Sequence, residues 1–263
     1  VTRVAVFVLV LFGLAVLVPG LLATAPPDAV DPAVALAPPS TAHWLGTDQL
    51  GRDVYSRIVH GARPSLLLGI GATAIGVAAG AVLGLLGALG GRWADGVVLR
   101  VLDVLLAFPS LLLALLVVAL AGPSMTSAMF AIAFASAPGY ARLLRGQALV
   151  VTRSGYVEAA TGLGVPWRWV VARHVLPNSL APLLVLATIG IGEAILAGAG
   201  LSFLGLGPPP PTPEWGTMLS DGRDFLDLAW WIAVYPGLAI TVSVVALTVG
   251  GRRLQAWARG RTA

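Results

Sequence analysis

At 263 residues, the chain is 57% hydrophobic and 11% charged, against roughly 25% charged residues in soluble domains. Its mean hydropathy of +0.90 excludes a water-soluble globule, because too few polar side chains remain to cover one. The formal net charge is +4 with no cysteine and no lysine, all 16 basic residues being arginine; this excludes disulfides, thiol chemistry and a Walker A loop, which needs a lysine.

Six apolar runs, at residues 4–23, 66–89, 102–121, 125–150, 179–203 and 230–250, meet or approach the ~20 residues that take a helix across a ~30 Å hydrocarbon core. The expectation is an all-α polytopic membrane protein with six transmembrane helices. The first run, between Arg3 and Ala23-Thr24-Ala25, has the outline of a secretory signal. A signal core spans only ~7–15 residues, and Pro26 would follow the cut, so an uncleaved span is expected.

Pro26, Pro27, Pro32, Pro38 and Pro39 then mark an extended, solvent-facing loop. Residues 45–65 place Leu50, Val54 and Ile58 at i, i+4 and i+8, offer Thr47 or Asp48 as a cap, and pair Asp53 with Arg57. That pattern predicts a short amphipathic helix at the outer interface. Gly76, Gly80 and Gly84, with Gly87 and Gly91 beyond them, form a flat stripe along which a second helix can approach. Pro109 and Pro138 are expected to kink the third and fourth spans.

The segment 151–178 is polar and lies between two apolar runs. Gly155 to Leu163 suits a short helix that holds Glu158, Ala159 and Ala160. Gly164 suits a left-handed stop, and Pro166 the first turn of a second helix. Pro177 is expected to end that helix, with Asn178 and Ser179 opening the fifth span. Inside that span stands Glu193, and an intramembrane acid is a functional candidate by default. Its small neighbours Gly190, Gly192, Ala194 and Gly198 place it toward the bundle or a wet path. Four prolines from Pro208 predict a rigid extended strut or gate, and the arginine-rich end with Trp257 predicts an interfacial anchor.

Arginines set the orientation. Twelve fall before the first run, between the second and third, around 142–173 and after the sixth. Only Arg52, Arg57, Arg63 and Arg223 fall in the alternate loops, together with eight acidic residues. The positive-inside rule then puts both termini and the 151–178 segment in the cytoplasm. A pI of about 10.3 reflects that topology, and no nucleic-acid partner is implied. His43, His60 and His174 stand too far apart in sequence to suggest a metal site.

Glu158-Ala159-Ala160 followed by Gly164 and Leu176-Pro177 resembles the cytoplasmic loop of ABC-importer permeases. Leu45-Gly46-Thr47-Asp48, Gly51-Arg52-Asp53 and Ser56-Arg57, with Gly61-Ala62-Arg63 and Ser65-Leu66 beyond, resemble the opening block of the dipeptide/oligopeptide/nickel permease family. Leu201 to Gly207, Pro210-Pro211-Thr212-Pro213, Trp215-Gly216, Gly222-Arg223-Asp224 and Tyr235-Pro236-Gly237 resemble a third block of the same family. Together they look like its C-type subunit over nearly the whole chain. One departure is Gly198, where such proteins often carry a glutamate; the acid here is Glu193.

That resemblance implies a type I ABC-importer permease fold: residues 1–65 would add a first span, an external loop and an interfacial helix to a five-helix core at 66–263. It implies a non-catalytic subunit that forms half of a pathway for dipeptides or oligopeptides, with nickel chelates or haem as alternative cargo and a stand-alone secondary transporter as a distant alternative. Glu158, Ala159, Ala160, Gly164, Pro166, Trp167, Arg168, His174, Leu176 and Pro177 would dock an ATPase, and Glu193 would border the pathway. The implied partners are a second homologous permease, two ATPase subunits or domains that hydrolyse ATP with Mg, an extracytoplasmic solute-binding protein and membrane lipid. No cofactor would be bound by this chain, and the setting would be a prokaryotic cell membrane.

Overall fold

In lipid an apolar run has no partner for its backbone polar groups except itself, so each run is driven into helix. In the computed structural model, which describes residues 2–260, the regular structure is helical; among them the only extended pairing is an isolated bridge between Thr47 and Asp53. The principal helices are α1 (Thr2–Leu17), α2 (Val54–Leu89), α3 (Gly91–Leu106), α4 (Ser110–Ala121) and α5 (Met125–Thr152). They are followed by α6 (Gly155–Gly162), α7 (Trp167–Val170), α8 (Leu176–Phe203), α9 (Trp215–Gly222), α10 (Leu226–Ala229) and α11 (Trp231–Gly260).

The glycine stripe of α2 finds its partner in α5. A Cβ on Gly76, Gly80 or Gly84 would stand 3.1, 2.8 or 2.6 Å from the carbonyl oxygens of Ala133, Ala137 and Ala141. Both series advance by four, so the two helices run parallel with their backbones nearly touching. Antiparallel to both, α8 sets Gly198 against Leu68 and Gly190 against Tyr140. Farther out, α11 packs on α8, and α1 lies against α11. The chain thus enters along α1 and leaves along α11 from the end of the bundle that carries Glu158.

Among the described residues three helices are long and apolar enough to cross a membrane, Val54–Leu89, Trp167–Phe203 and Trp231–Arg253, or four if the bent pair Gly91–Leu106 and Ser110–Ala121 is one span. Although 28 residues long, α5 carries serines, glycines and Tyr140. Its low apolarity matches its place, since it is packed against α2, α3, α4 and α8. The first run is shorter than expected: α1 stops at Leu17, because Pro19 disfavours helix in the residue before it. Pro109 does more than kink the third run. It breaks the run into α3 and α4, which bend by 91°. Through Pro138, by contrast, α5 is unbroken.

The expected interfacial helix at 45–65 is absent. Asp53, not Thr47 or Asp48, caps α2 by accepting from the Ser56 N–H at 2.9 Å, and the helix then runs through Pro64 without interruption. Residues 45–53 form a tight buried turn instead. Asp48 accepts from Arg52 Nε at 2.6 Å and from the backbone N–H of Leu50 and Arg52. Arg57 pairs with Asp48 and Asp28 at 3.6 Å, not with Asp53. Asp53 instead accepts from the Thr24 hydroxyl and contacts His43 Nδ1 at 3.0 Å, and Trp231 donates to the Thr47 carbonyl at 3.0 Å. Asp48, Arg52, Asp53 and Arg57 are nearly fully buried, while Asp28 is half-exposed, and together they pin the first loop to the core; losing one member of the buried Asp48–Arg52 pair costs about 3–5 kcal/mol. Nor is there a uniform proline strut: the chain turns at Pro210 and Pro211, and Trp215 is buried, donating to the Ile58 carbonyl at 2.9 Å. The side chains of Trp257 and Arg259, and all of Arg261, lie outside the described residues.

Candidate functional site

At the end of the bundle opposite Asp48, α5 gives way to α6 and α7. Val157 and Val170 are buried, and with Val175 they pack on Ala148 and Val151 of α5 and against Leu85, Ala88 and Leu89 of α2. Most of the rest of this elbow faces outward. Glu158 and Ala159 are exposed, Ala160 is half-buried, and Thr161 to Trp169 form an unbroken exposed run. That run includes Leu163 at 84% and Trp169 at 57% exposure. Glu158 sits in the first turn of α6, where a carboxylate suits the positive helix end. Among the described residues it makes no ion pair.

The turn between α6 and α7 is fixed by backbone. Gly164 adopts φ +80°, as the sequence led us to expect, and the Val165 N–H donates to the Ala160 carbonyl at 3.1 Å. Nothing lies within 4 Å of a Cβ added there, so the demand for glycine is conformational and not one of space. Pro166 stands immediately before the helix, as the cap of α7, with Trp167 and Arg168 exposed in its first turn.

Pro177 departs from expectation. It does not end the second helix but lies in the first turn of α8, joined to α7 through a π-helical turn at Val171–Val175. A proline ring clashes with the carbonyl four residues back, here that of Arg173, and the wider turn accommodates it. Side chains then satisfy neighbouring carbonyls: Asn178 Nδ2 donates to His174 at 2.6 Å and Ser179 Oγ to Val175 at 2.7 Å. Leu176 is half-buried and Pro177 exposed, while the His174 ring lies 6.1 Å from that of Tyr156. Trp167–Phe203 is consequently one 37-residue helix. It connects the exposed elbow mechanically to Glu193, about 39 Å along its axis at 1.5 Å per residue.

Glu193 opens onto a cavity of about 360 Å³ between α2, α4, α5 and α8. Thr73, Ser110, Ser136 and Tyr140 also line it, and the remaining lining is largely apolar, with no basic side chain among the described residues. Tyr140 reaches the wall of α8 only because residue 190 is glycine: a Cβ there would stand 1.9 Å from the Tyr140 hydroxyl. Sequence reading found Glu193 but not these hydroxyls, since they come from three other helices at unrelated spacings. It also missed α3 as a strap. Asp95 takes two bonds from Arg145, at 2.5 and 2.7 Å, and Asp103 pairs with Arg142.

Comparison with known proteins bears on the family and the fold. Residues 76–263 match the family described as binding-protein-dependent transport system inner membrane component. The chain is 44% identical over 232 residues to the probable D,D-dipeptide transport system permease protein DdpC of Escherichia coli, covering 88% of this chain and 77% of that protein. It is 41% identical to the glutathione transport system permease protein GsiD of Pectobacterium atrosepticum, covering 82% of this chain and 72% of that one. It is also 41% identical to the dipeptide transport system permease protein DppC of Alkalihalophilus pseudofirmus, covering 86% and 74%. Among solved structures, an inward-facing MetNI methionine ABC transporter chain shares the fold. The TM-score is 0.61 at 18% identity, covering 75% of this chain and 94% of that one.

Proposed function

The chain belongs to the family of binding-protein-dependent transport system inner membrane components, and we propose that it forms half of the translocation pathway of an ATP-driven importer of dipeptides or short oligopeptides. It is a non-catalytic membrane subunit. ATP and Mg are used by two partner ATPase subunits or domains. A second homologous permease completes the pathway, and an extracytoplasmic binding protein delivers cargo. Six passages through a prokaryotic cell membrane, with both termini cytoplasmic, complete this reading; residues 66–263 form the transport core and 1–65 the added N-terminal part.

The observation that carries the reading is the exposed surface from Glu158 to Trp169 on helices rigidly packed against α2 and α5. An ATPase gripping that surface through Glu158, Ala159, Ala160 and the Gly164–Arg168 turn would move the bundle as a unit. His174, Leu176 and Pro177 shape the joint that passes this motion into α8. The names of the relatives above, all concerning dipeptides or glutathione, favour short peptides as cargo.

Purification of the tagged chain from its host in mild detergent, followed by mass spectrometry of what co-elutes, tests the assembly. A second permease, ATPases with Walker motifs and a binding protein are expected, with a peptide as that protein's ligand. Recovery of the chain alone, under conditions that preserve a known importer, would refute the reading.

A further inference from the structure

The cavity beside Glu193 has a chemical bias that peptide import alone does not explain. One carboxylate faces it, four hydroxyl-bearing residues ring it, and no basic side chain among the described residues offsets the charge. Isolated carboxylates are costly at membrane depth and persist where they meet a cation or water. The Thr73 side chain backs Tyr140, its hydroxyl buried beneath the cavity wall. Tyr140 is held over Gly190, one helical turn from Glu193, by the absence of a side chain at that glycine. A volume of about 360 Å³ falls in the range of small-molecule sites.

We propose that this cavity is a cation site that receives the protonated amino terminus of the passing peptide. Glu193 supplies the charge and accepts one ammonium hydrogen, and the oxygens of Tyr140 and Ser136 accept the other two. Hydroxyls donate or accept as the ligand requires, so Glu193 sets the preference: its charge matches an ammonium, which has three donors and no acceptor, and repels a carboxylate terminus. The largely apolar remainder of the lining takes up side chains without selecting among them. The inference rests on the peptide-import reading for the identity of the cargo; the acceptor geometry belongs to this chain alone.

The assembled importer in liposomes, with radiolabelled dialanine and internal ATP, provides the test. Glu193→Gln should lower dialanine imported per ATP hydrolysed by about tenfold, the worth of one charge-assisted hydrogen bond, and Glu193→Asp should retain most of it. On the wild-type complex without added binding protein, a photoreactive dipeptide should label the cavity wall. Dialanine should compete with that labelling and N-acetyl-dialanine should not. Unchanged import by Glu193→Gln, or equal competition by the acetylated peptide, would overturn the ammonium site while leaving the importer reading intact. A wild-type complex that hydrolyses ATP but imports no dialanine would overturn the peptide reading and this inference with it.

Discussion

Gly80 of α2 lies against Ala137 of α5 so closely that a β-carbon on the glycine would stand 2.8 Å from the alanine carbonyl oxygen. That oxygen belongs to an intact helix and cannot swing away. Gly80→Val should therefore force the two central helices apart at a cost of about 1–3 kcal/mol, as other overpacked cores show. A fall of several degrees in the melting temperature of the detergent-solubilised protein is expected. Gly146 faces open space, so Gly146→Ala should leave the melting point unchanged or slightly raised. Equal effects from the two substitutions would contradict the packing.

Arg145 grips Asp95 through two bonds and holds α3 against the far end of α5. The pair is partly exposed, so its direct contribution to stability is about 1 kcal/mol or less. Its effect on transport should be larger, because α3 leads into the break at Pro109 and Leu106 touches the cavity. Asp95→Arg and Arg145→Asp should each reduce uptake several-fold, and the two combined should restore most of it. A double variant no better than either single one would count against the strap.

Asp221, in α9, has its carboxyl held above the usual carboxylate range by burial, an effect that Arg52 and Arg57 only partly offset. The folded protein then holds this proton more tightly than the unfolded chain. Stability from this group is full below the ordinary aspartate value of about 4, is lost as pH rises through the raised value, and stays lost above it. Asp221→Asn should raise the melting temperature at pH 7 and leave it nearly unchanged below pH 4. A lower melting point at pH 7 would show that attraction to the arginines outweighs desolvation.

Local chemistry was legible wherever one residue determines its own backbone. Gly164 takes the left-handed turn because its φ requires glycine, and α6 falls within one residue of the expected span. Reading failed where a distant contact decides the outcome. The spacing of Asp53 and Arg57 suits a helical ion pair, yet Arg57 is drawn to Asp48 and Asp28, and Asp53 to Thr24 and His43. Pro177 has the form of a helix stop, but a π-helical turn upstream absorbs its clash. The α2 glycines announced a close neighbour without naming it, because the matching alanines lie 57 residues along the chain.

Glu158 is the sharpest test of how the machine is driven. Its carboxylate is exposed, makes no ion pair among the described residues, and stands on a helix whose buried side, Val157, is locked to α2 and α5. Glu158→Arg reverses charge on the outward face without touching that anchor, so membrane insertion and melting temperature should stay near those of the parent. Repulsion from a basic docking partner, together with a cation at the positive end of α6, should abolish ATP-driven peptide uptake. Glu158→Gln removes the charge but keeps the shape, and uptake should fall only partway. Full uptake by the arginine variant would mean that the ATPase grips some other surface of the elbow, with exposed Leu163 and Trp169 the next residues to change.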